Sequence, residues 1–314
     1  MITTQDLRKT YSSRRGEVEA VRGIDLSVSA GEIFGLLGPN GAGKTTTMRM
    51  LATLIPMTSG KATVAGVDLR ADPAEVRRRI GYVPQGGSSD PLMTGRRELY
   101  QQGRFSGLSK TDSDRRADEI IPALQLTDVA DRATKTYSGG QRRRLDIALG
   151  LVHSPRLLFL DEPTTGLDPQ SRAHMWDEVR KLREGGTTIL LTTHYLDEAD
   201  ALCDRLVIVD HGTVVAEGSP SELKRQIAGE AIVIGSIDPI AVETKLRELP
   251  GLREITHSDD EVRAYVDDAA TSLPTALRLL DAAGLSITTA SVTKPSLDDV
   301  FLRQTGRSLR ETSA

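Results

Sequence analysis

Gly38-Pro39-Asn40-Gly41-Ala42-Gly43-Lys44-Thr45 is the stretch that decides the fold. It satisfies the spacing G-x-x-x-x-G-K-[ST] throughout, and its flanks suit it. Glu32-Ile33-Phe34-Gly35-Leu36-Leu37 before it is a short apolar run that reads as a buried strand. Thr46-Thr47-Met48-Arg49-Met50-Leu51-Ala52-Thr53-Leu54 after it carries apolar residues at helical spacing. Strand, glycine loop and helix start together make a phosphate trap. Glycines let backbone N–H groups converge on one anion, the helix N-terminus adds about half a positive charge, and Lys44 adds a full one. Thr45 sets a hydroxyl where the Mg²⁺ of a bound nucleotide belongs, and Thr46 continues the same helix start. A glycine-rich turn with a solvated lysine explains the eight residues alone, but not their flanks. Residues 38–46 therefore predict binding of a nucleoside triphosphate.

The sequence has 314 residues, 38% apolar, 27% charged and 4% aromatic, the composition of a soluble globular protein of roughly two domains. A net charge of −4 offers no basic field, so nucleic acid is not an expected partner. Cys203 is the single cysteine, which excludes internal disulfides and fits a reducing compartment. Met1-Ile2-Thr3-Thr4-Gln5-Asp6 lacks the apolar core of a signal peptide, and no apolar run approaches the ~20 residues of a spanning helix. Any membrane role would need another polypeptide to supply the membrane part.

Toward the N-terminus, Ile2 to Leu7 and Val18 to Val28 read as strands, with Lys9-Thr10-Tyr11 between them. Tyr11 is placed equally well to stack on a purine ring or to cap a strand. After the loop helix, Lys61 to Leu69 alternates as a strand does, Pro73 to Ile80 is a basic helix, and Gly81-Tyr82-Val83-Pro84-Gln85 is an apolar strand end. The Gln85 amide suits a metal ion or an attacking water, though loop residues of this kind are common. Residues 86–136 read as mainly helical and carry no catalytic cluster.

Tyr137-Ser138-Gly139-Gly140-Gln141 then opens a helix with the Ser138/Gln141 spacing of a capping box. Two glycines in its first turn cost about 1 kcal/mol each relative to alanine. Arg142-Arg143-Arg144 follows at the end of the helix where acidic residues are favoured. Both costs make sense if bare backbone and positive charge must meet an anion. Leu157-Leu158-Phe159-Leu160-Asp161-Glu162 is a buried strand that ends in two carboxylates, at the edge where α/β sheets hold ligands. Asp161 there is a candidate Mg²⁺ ligand, and Glu162 a candidate general base for the water attacking a γ-phosphate, a role typically worth 10²–10⁴-fold. Thr164-Thr165-Gly166-Leu167-Asp168-Pro169 is a turn before a helix over 170–184. The strand Thr188 to Thr193 ends at His194, a candidate γ-phosphate contact at the same sheet edge. Arg205 to Val209 and Thr213 to Glu217 flank a hairpin at Asp210-His211-Gly212.

In this order the motifs resemble the ATP-binding subunit of ABC transporters over residues 1–225. The Walker A loop is 38–45, the glutamine loop is at Gln85, the signature is Ser138-Gly139-Gly140-Gln141, the Walker B strand is 157–162, the D-loop is at Asp168 and the switch histidine is His194. Lys135-Thr136-Tyr137-Ser138-Gly139-Gly140, Arg142 to Ala148, Tyr195-Leu196-Asp197-Glu198-Ala199-Asp200 and Pro295-Ser296-Leu297-Asp298-Asp299-Val300-Phe301-Leu302 are similar to the daunorubicin-resistance type of drug-export ATPase. Tyr137 stands where the wider family usually has leucine, and Thr165-Gly166 where it often has Ser-Ala.

The resemblance implies an α/β P-loop NTPase of ABC type, with an antiparallel β subdomain and a helical subdomain over about 86–150. It implies ATP and Mg²⁺ as ligands, with Thr45, Gln85 and Asp161 on the metal. Tyr11, residues 38–46, Ser138, Gly139, Gly140, Gln141 and Asp168 are implied on the nucleotide, and Glu162, His194 and Gln85 in catalysis. Two copies are expected to pair head to tail, so that the ATP of one meets the Ser138-Gly139-Gly140 turn of the other. A separate permease of about six helices per subunit is implied, each helix needing the ~20 apolar residues missing here. That places this chain at the cytoplasmic face of the cell membrane. A soluble ABC ATPase acting on ribosomes or DNA is the alternative; that kind usually carries two cassettes or a long coiled-coil insertion, whereas this sequence has one cassette and no sustained heptads.

Residues 226–314 form a second unit in the order β-α-β-β-α-β, with strands near 231–237, 253–258, 262–266 and 286–293 and helices near 239–249 and 273–283. That order predicts a small α+β, ferredoxin-like module. It holds no catalytic cluster, so dimerisation or regulation is expected of it.

Overall fold

The computed structural model describes residues 1–13, 16–226 and 229–306. The stretch 307–314, assigned above to the second unit, lies outside the described residues. The described chain divides into two compact units that part after Pro220.

The first unit opens with a long hairpin, β1 (Ile2–Ser13) and β2 (Gly16–Val28). Pairing runs from Ile2 opposite Val28 to Tyr11 opposite Val18, so Lys9-Thr10-Tyr11 lies inside β1 and not between two strands. Apolar alternation stops at Leu7 because the outer half of this ribbon is exposed or half-exposed on both faces. Next come β3 (Ile33–Leu37), α1 (Lys44–Leu51), β4 (Ser59–Val64) and β5 (Val67–Asp68). Ala65 and Gly66 join the last two at φ 50° and 79°, a tight hairpin turn that splits the alternating run expected over 61–69. The chain continues through α2 (Pro73–Arg79), β6 (Ile80–Val83), α3 (Gly95–Phe105), α4 (Lys110–Ala123) and α5 (Gly139–Leu151). Then follow β7 (Leu157–Asp161), α6 (Pro169–Glu184), β8 (Thr188–Thr193), α7 (Leu196–Leu202), β9 (Arg205–Asp210) and β10 (Thr213–Gly218). The seven-residue α7 was not read from the sequence, since a two-turn helix gives too short a periodic signal.

Two sheets result, one antiparallel in the order β2-β1-β4-β5 and one in the order β10-β9-β3-β8-β7-β6. The second is parallel from β9 to β6, with β10 antiparallel at its edge. Every residue of β3, β7 and β8 is buried, as strands covered on both faces must be. Met48, Met50 and Leu51 of α1 share one apolar core with Ile2, Leu26 and Val64 of the first sheet and Phe34, Phe159 and Leu190 of the second. The helix that follows the glycine loop is thus wedged between the sheets. Parallel register aligns Leu37 with Thr193, Asp161 with Thr192 and Val83 with Leu160. Gly38, Gln85, Glu162 and His194 therefore leave four adjacent strands at one edge.

The second unit contains α8 (Pro220–Arg225), β11 (Glu230–Gly235), α9 (Pro239–Leu246), β12 (Leu252–His257), β13 (Glu261–Val266), α10 (Ala269–Ala282), β14 (Thr289–Thr293) and α11 (Leu297–Thr305). Its sheet is antiparallel in the order β12-β13-β11-β14, the arrangement the β-α-β-β-α-β pattern predicts. Val242 and Leu246 of α9 and Ala276 and Leu280 of α10 pack with Ile232, Ile234, Val262 and Ala264 on one face. Neighbouring positions Arg263 and Tyr265 point to the other face, where both donate to Asp299 Oδ1 of α11, at 2.7 and 2.8 Å.

Glu98 on α3 is 7% exposed, and its Oε1 has no hydrogen-bond partner. Burial pushes its carboxyl up from 4.5 to about 7; a backbone hydrogen bond at Asp90 opposes this, and the charges of Asp90 and Asp146 add to it. The folded chain thus holds this proton more tightly than the unfolded chain, so stability falls as pH rises from about 4.5 to about 7 and stays low above that. Glu98→Gln should raise the melting temperature at pH 8, by up to about 3 kcal/mol of stability, and give no gain at pH 4.5. Calorimetry at both pH values checks this; an equal gain at both would contradict it.

Candidate nucleotide-binding site

Residues 38–46 connect β3 to α1 around a cation. Gly43 precedes α1 at φ 105°, and a Cβ there would lie 2.5 Å from the carbonyl oxygen of Ala20, so only glycine fits. Lys44 is 4% exposed, and its Nζ donates to the carbonyls of Gly38 at 2.7 Å and Pro39 at 2.9 Å. Burial lowers the Lys44 pKa against the opposing pull of Glu162 and Asp161. The loop is folded back on its own lysine, with the half-exposed N-terminal residues Thr45 and Thr46 of α1 beside it. Asn40 and Gly41 at its crest are exposed, while Pro39 and Ala42 are buried. Free N–H groups in the first turn of such a helix face the loop and favour an anion.

The ends of β7 and β8 bring the acidic groups in. Asp161 is fully buried and accepts from Thr45 Oγ1 at 2.9 Å, Thr192 Oγ1 at 2.6 Å and Tyr82 OH at 3.2 Å. Thr45 and Asp161 thus form a pair of hard oxygen donors. No group of three or more His, Cys, Asp or Glu is gathered for a metal among the described residues. A cation between Thr45 and Asp161 would need further ligands from other side chains, a bound molecule or water.

Glu162 sits at φ 46°, an uncommon backbone for a non-glycine, with its N–H bonded to the carbonyl and the hydroxyl of Thr192. Its carboxylate meets Gln85 Nε2 at 2.7 Å, Thr165 Oγ1 at 3.0 Å, His194 Nδ1 at 3.2 Å and Lys44 Nζ at 4.0 Å. The His194 contact is close but not aligned for a hydrogen bond. Burial pushes Glu162 up, yet His194, Thr165 and Lys44 together outweigh it and hold the carboxyl below its ordinary value. The group is ionised at neutral pH.

Lys44, Gln85, Asp161, Glu162 and His194, picked from sequence at four separate places, are therefore in one cluster. Ser138 to Gln141 bond among themselves, through a capping box with both arms formed. Asp168 caps α6 by accepting from Ser171 N and Oγ. Tyr11 is 43% exposed on β1, its ring 4.9 Å from Lys9 Nζ.

The three arginines after the signature turn do not all face outward, as the anion reading supposed. One helix turn carries Arg143 inward, where its guanidinium donates to the carbonyls of Pro84 at 2.7 Å, Pro163 at 2.8 Å and Asp161 at 3.2 Å. Arg144 donates to Gln125, and Arg142 alone of the three is exposed. Asp146, next along the inward face, accepts the backbone N–H of Ser88 at 2.9 Å. Helix α5 thus holds the glutamine loop on both sides of Gln85. Arg143, Asp146, Thr165, Thr192 and Tyr82 went unread as site residues. The parallel register that sets Thr192 opposite Asp161 was the available signal for one of them.

Comparison with known proteins identifies the family. Residues 21–165 match the ABC transporter family, and residues 218–305 match the C-terminal domain described as that of DrrA1-3-like ATP-binding proteins. A daunorubicin resistance ATP-binding protein of Streptomyces coeruleorubidus is 44% identical over 98% of this chain and 96% of its own. A daunorubicin/doxorubicin resistance ATP-binding protein of Streptomyces peucetius is 46% identical over 97% of this chain and 92% of its own. Among solved structures, a dimeric ATP-binding cassette in a post-hydrolysis state with ADP and phosphate superposes with a TM-score of 0.64. It is 26% identical and covers 70% of this chain and 98% of that one. The chain belongs to the ABC transporter family, as an ATP-binding cassette that hydrolyses ATP.

Arg143 is 7% exposed and serves three carbonyls at once. Arg143→Ala leaves those acceptors unpaired in a cavity and should cost about 2–5 kcal/mol, whereas Arg142→Ala at the surface should cost under about 0.5. Calorimetric unfolding of the two variants separates them; equal melting temperatures would contradict the assigned role.

Proposed function

We propose that this ABC-family ATPase is the motor subunit of an exporter, driving efflux of a hydrophobic drug, antibiotic or lipid-like compound through a separate membrane permease. Two copies pair head to tail, each binding ATP on its own Lys44 loop and covering its partner's ATP with its Ser138-Gly139-Gly140 turn. The observation that carries the shared site is the room around those glycines. A Cβ on Gly139 would meet only Leu167 Cδ2 at 3.8 Å, and one on Gly140 only Ser171 at 3.5 Å, both ordinary contacts. The chain's own packing does not require glycine there, and helix propensity disfavours it. A demand from outside the single copy explains the choice.

In this reading residues 38–46 hold the phosphates, with backbone N–H groups and Lys44 turned from its carbonyls to the nucleotide. Thr45, Asp161 and Gln85 supply oxygens for Mg²⁺, which when bound neutralises phosphate charge. Ionised Glu162 takes the proton of the water attacking the γ-phosphorus as the bond to ADP breaks. Gln85 and Thr165 orient that carboxylate. His194 passes from Glu162 to the γ-phosphate. Tyr11 stacks on adenine, and Asp168, at the head of α6, lies toward the partner's nucleotide with Gln141. Hydrolysis separates the pair and resets it.

No helix among the described residues is long and apolar enough to cross a membrane, which suits a peripheral subunit on the cytoplasmic face. Names of relatives that cite daunorubicin resistance support export and its cargo class. The second unit serves dimerisation.

Glu162→Gln should cut turnover by at least about 10²-fold while still binding ATP, and should dimerise more tightly with ATP than without it in sedimentation equilibrium. Dimerisation no tighter at saturating ATP would count against the shared site. Co-expression with a permease should raise the inhibitory concentration of a hydrophobic antibiotic in a sensitive host, and Glu162→Gln should abolish the gain. Equal sensitivity with and without the pair would remove export from the reading.

A further inference from the structure

The two edges of the second unit's sheet are treated differently. Along β12 the edge is guarded: Arg253 and Glu254 put charge on it, Arg253 pairs with Asp267, His257 with Glu243 and Arg303 with Glu254, and a register shift falls between Leu252 and Glu254. Such charges and bulges keep exposed edges from pairing with other chains. Along β14 the edge is bare. Thr289-Ala290-Ser291-Val292-Thr293 has no charge and no proline, and the uncharged run extends from Ala282 to Thr293 in a chain that is 27% charged. Every residue from Ser286 to Lys294 is exposed, Ile287 and Val292 among them at 37% and 39%. One side of β14 pairs with β11, and its position at the end of the sheet leaves the other side without a strand among the described residues.

We infer that β14 is an interface strand, and that its partner is β14 of a second copy of this chain. The inference rests on the dimerising role given above to the second unit, and says which atoms perform it. A strand that meets itself about a two-fold axis must run antiparallel, and it needs a self-complementary, neutral sequence to do so. Centred on Ser291, the pairing sets Ala290 opposite Val292 and Thr289 opposite Thr293 of the second copy. It joins two four-stranded sheets into one continuous sheet. The second copy is also the strand at hand. The solved relative is a dimer that covers 98% of its own chain and only 70% of this one, so the additional unit rides on a cassette that pairs.

The test separates this pairing from the ATP-dependent one by leaving nucleotide out. Sedimentation equilibrium of the full chain without nucleotide is compared for the wild type, Ser291→Lys, Ser291→Glu and an equimolar mixture of the two variants. Like charges directly opposite across a strand pair repel and unlike charges attract. Each variant alone should therefore dimerise up to about fivefold more weakly than the wild type, and the mixture should recover the loss, with unfolding temperatures unchanged. A nucleotide-free dimer indifferent to both substitutions, or lost in both and not recovered on mixing, overturns the β14 interface while leaving dimerisation by the second unit in place. A nucleotide-free monomer, with Glu162→Gln still pairing on ATP, overturns both of these and spares the shared ATP site.

Discussion

The carboxylate of Glu162 is gripped by side chains from three other strand ends: Gln85 after β6, His194 after β8 and Lys44 after β3. No local sequence preference makes that happen. It follows from parallel pairing, which sets Val83 level with Leu160, Asp161 with Thr192 and Leu37 with Thr193, so that whatever follows each strand emerges at the same edge. The buried strands fix the register because a one-residue slip would turn apolar side chains out of a core that spans both sheets. The positive φ of Glu162 is tolerated there because Thr192 holds its N–H by both backbone and side chain. The chemistry of the site is thus a property of the sheet, and the sheet's burial is what keeps it in place.

Helix α5 couples the signature turn to this edge. Arg143 holds the carbonyls of Pro84, Asp161 and Pro163, and Asp146 holds the N–H of Ser88, so one rigid helix touches the glutamine loop, the end of β7 and the turn beyond it. Burial of both charges is offset by carbonyls and N–H groups arranged around them, which makes the joint stiff. Ser138 and the glycines are thus joined through α5 to the glutamine loop and to the end of β7.

Much of this was legible in the sequence because its signals are local. The loop 38–45 announces itself by spacing, the strands 157–161 and 188–193 by their apolar stretches 157–160 and 189–191, and the second unit by its β-α-β-β-α-β order. The misses have separate physical causes. The outer half of the β1–β2 ribbon is polar on both faces, so Lys9-Thr10-Tyr11 gave no alternation to follow. The hairpin at Ala65-Gly66 hid in an alternating run because its first turn residue is alanine at φ 50°, where asparagine or glycine is usual. Arg143 was read as one of three surface cations because its partners are backbone carbonyls far along the chain, which no side-chain pattern encodes. Tertiary backbone contacts are what sequence periodicity leaves out.

The account as a whole requires that one working centre be assembled from two molecules. Mixing two inactive variants tests that most directly: Lys44→Ala, which loses its own phosphate grip but keeps the signature turn, and Gly139→Asp, which does the reverse. A mixed pair contains one centre with both halves intact, so ATP turnover absent from either variant alone should return on mixing. A mixture as inactive as its components, with mixed pairs demonstrably present, would contradict the claim.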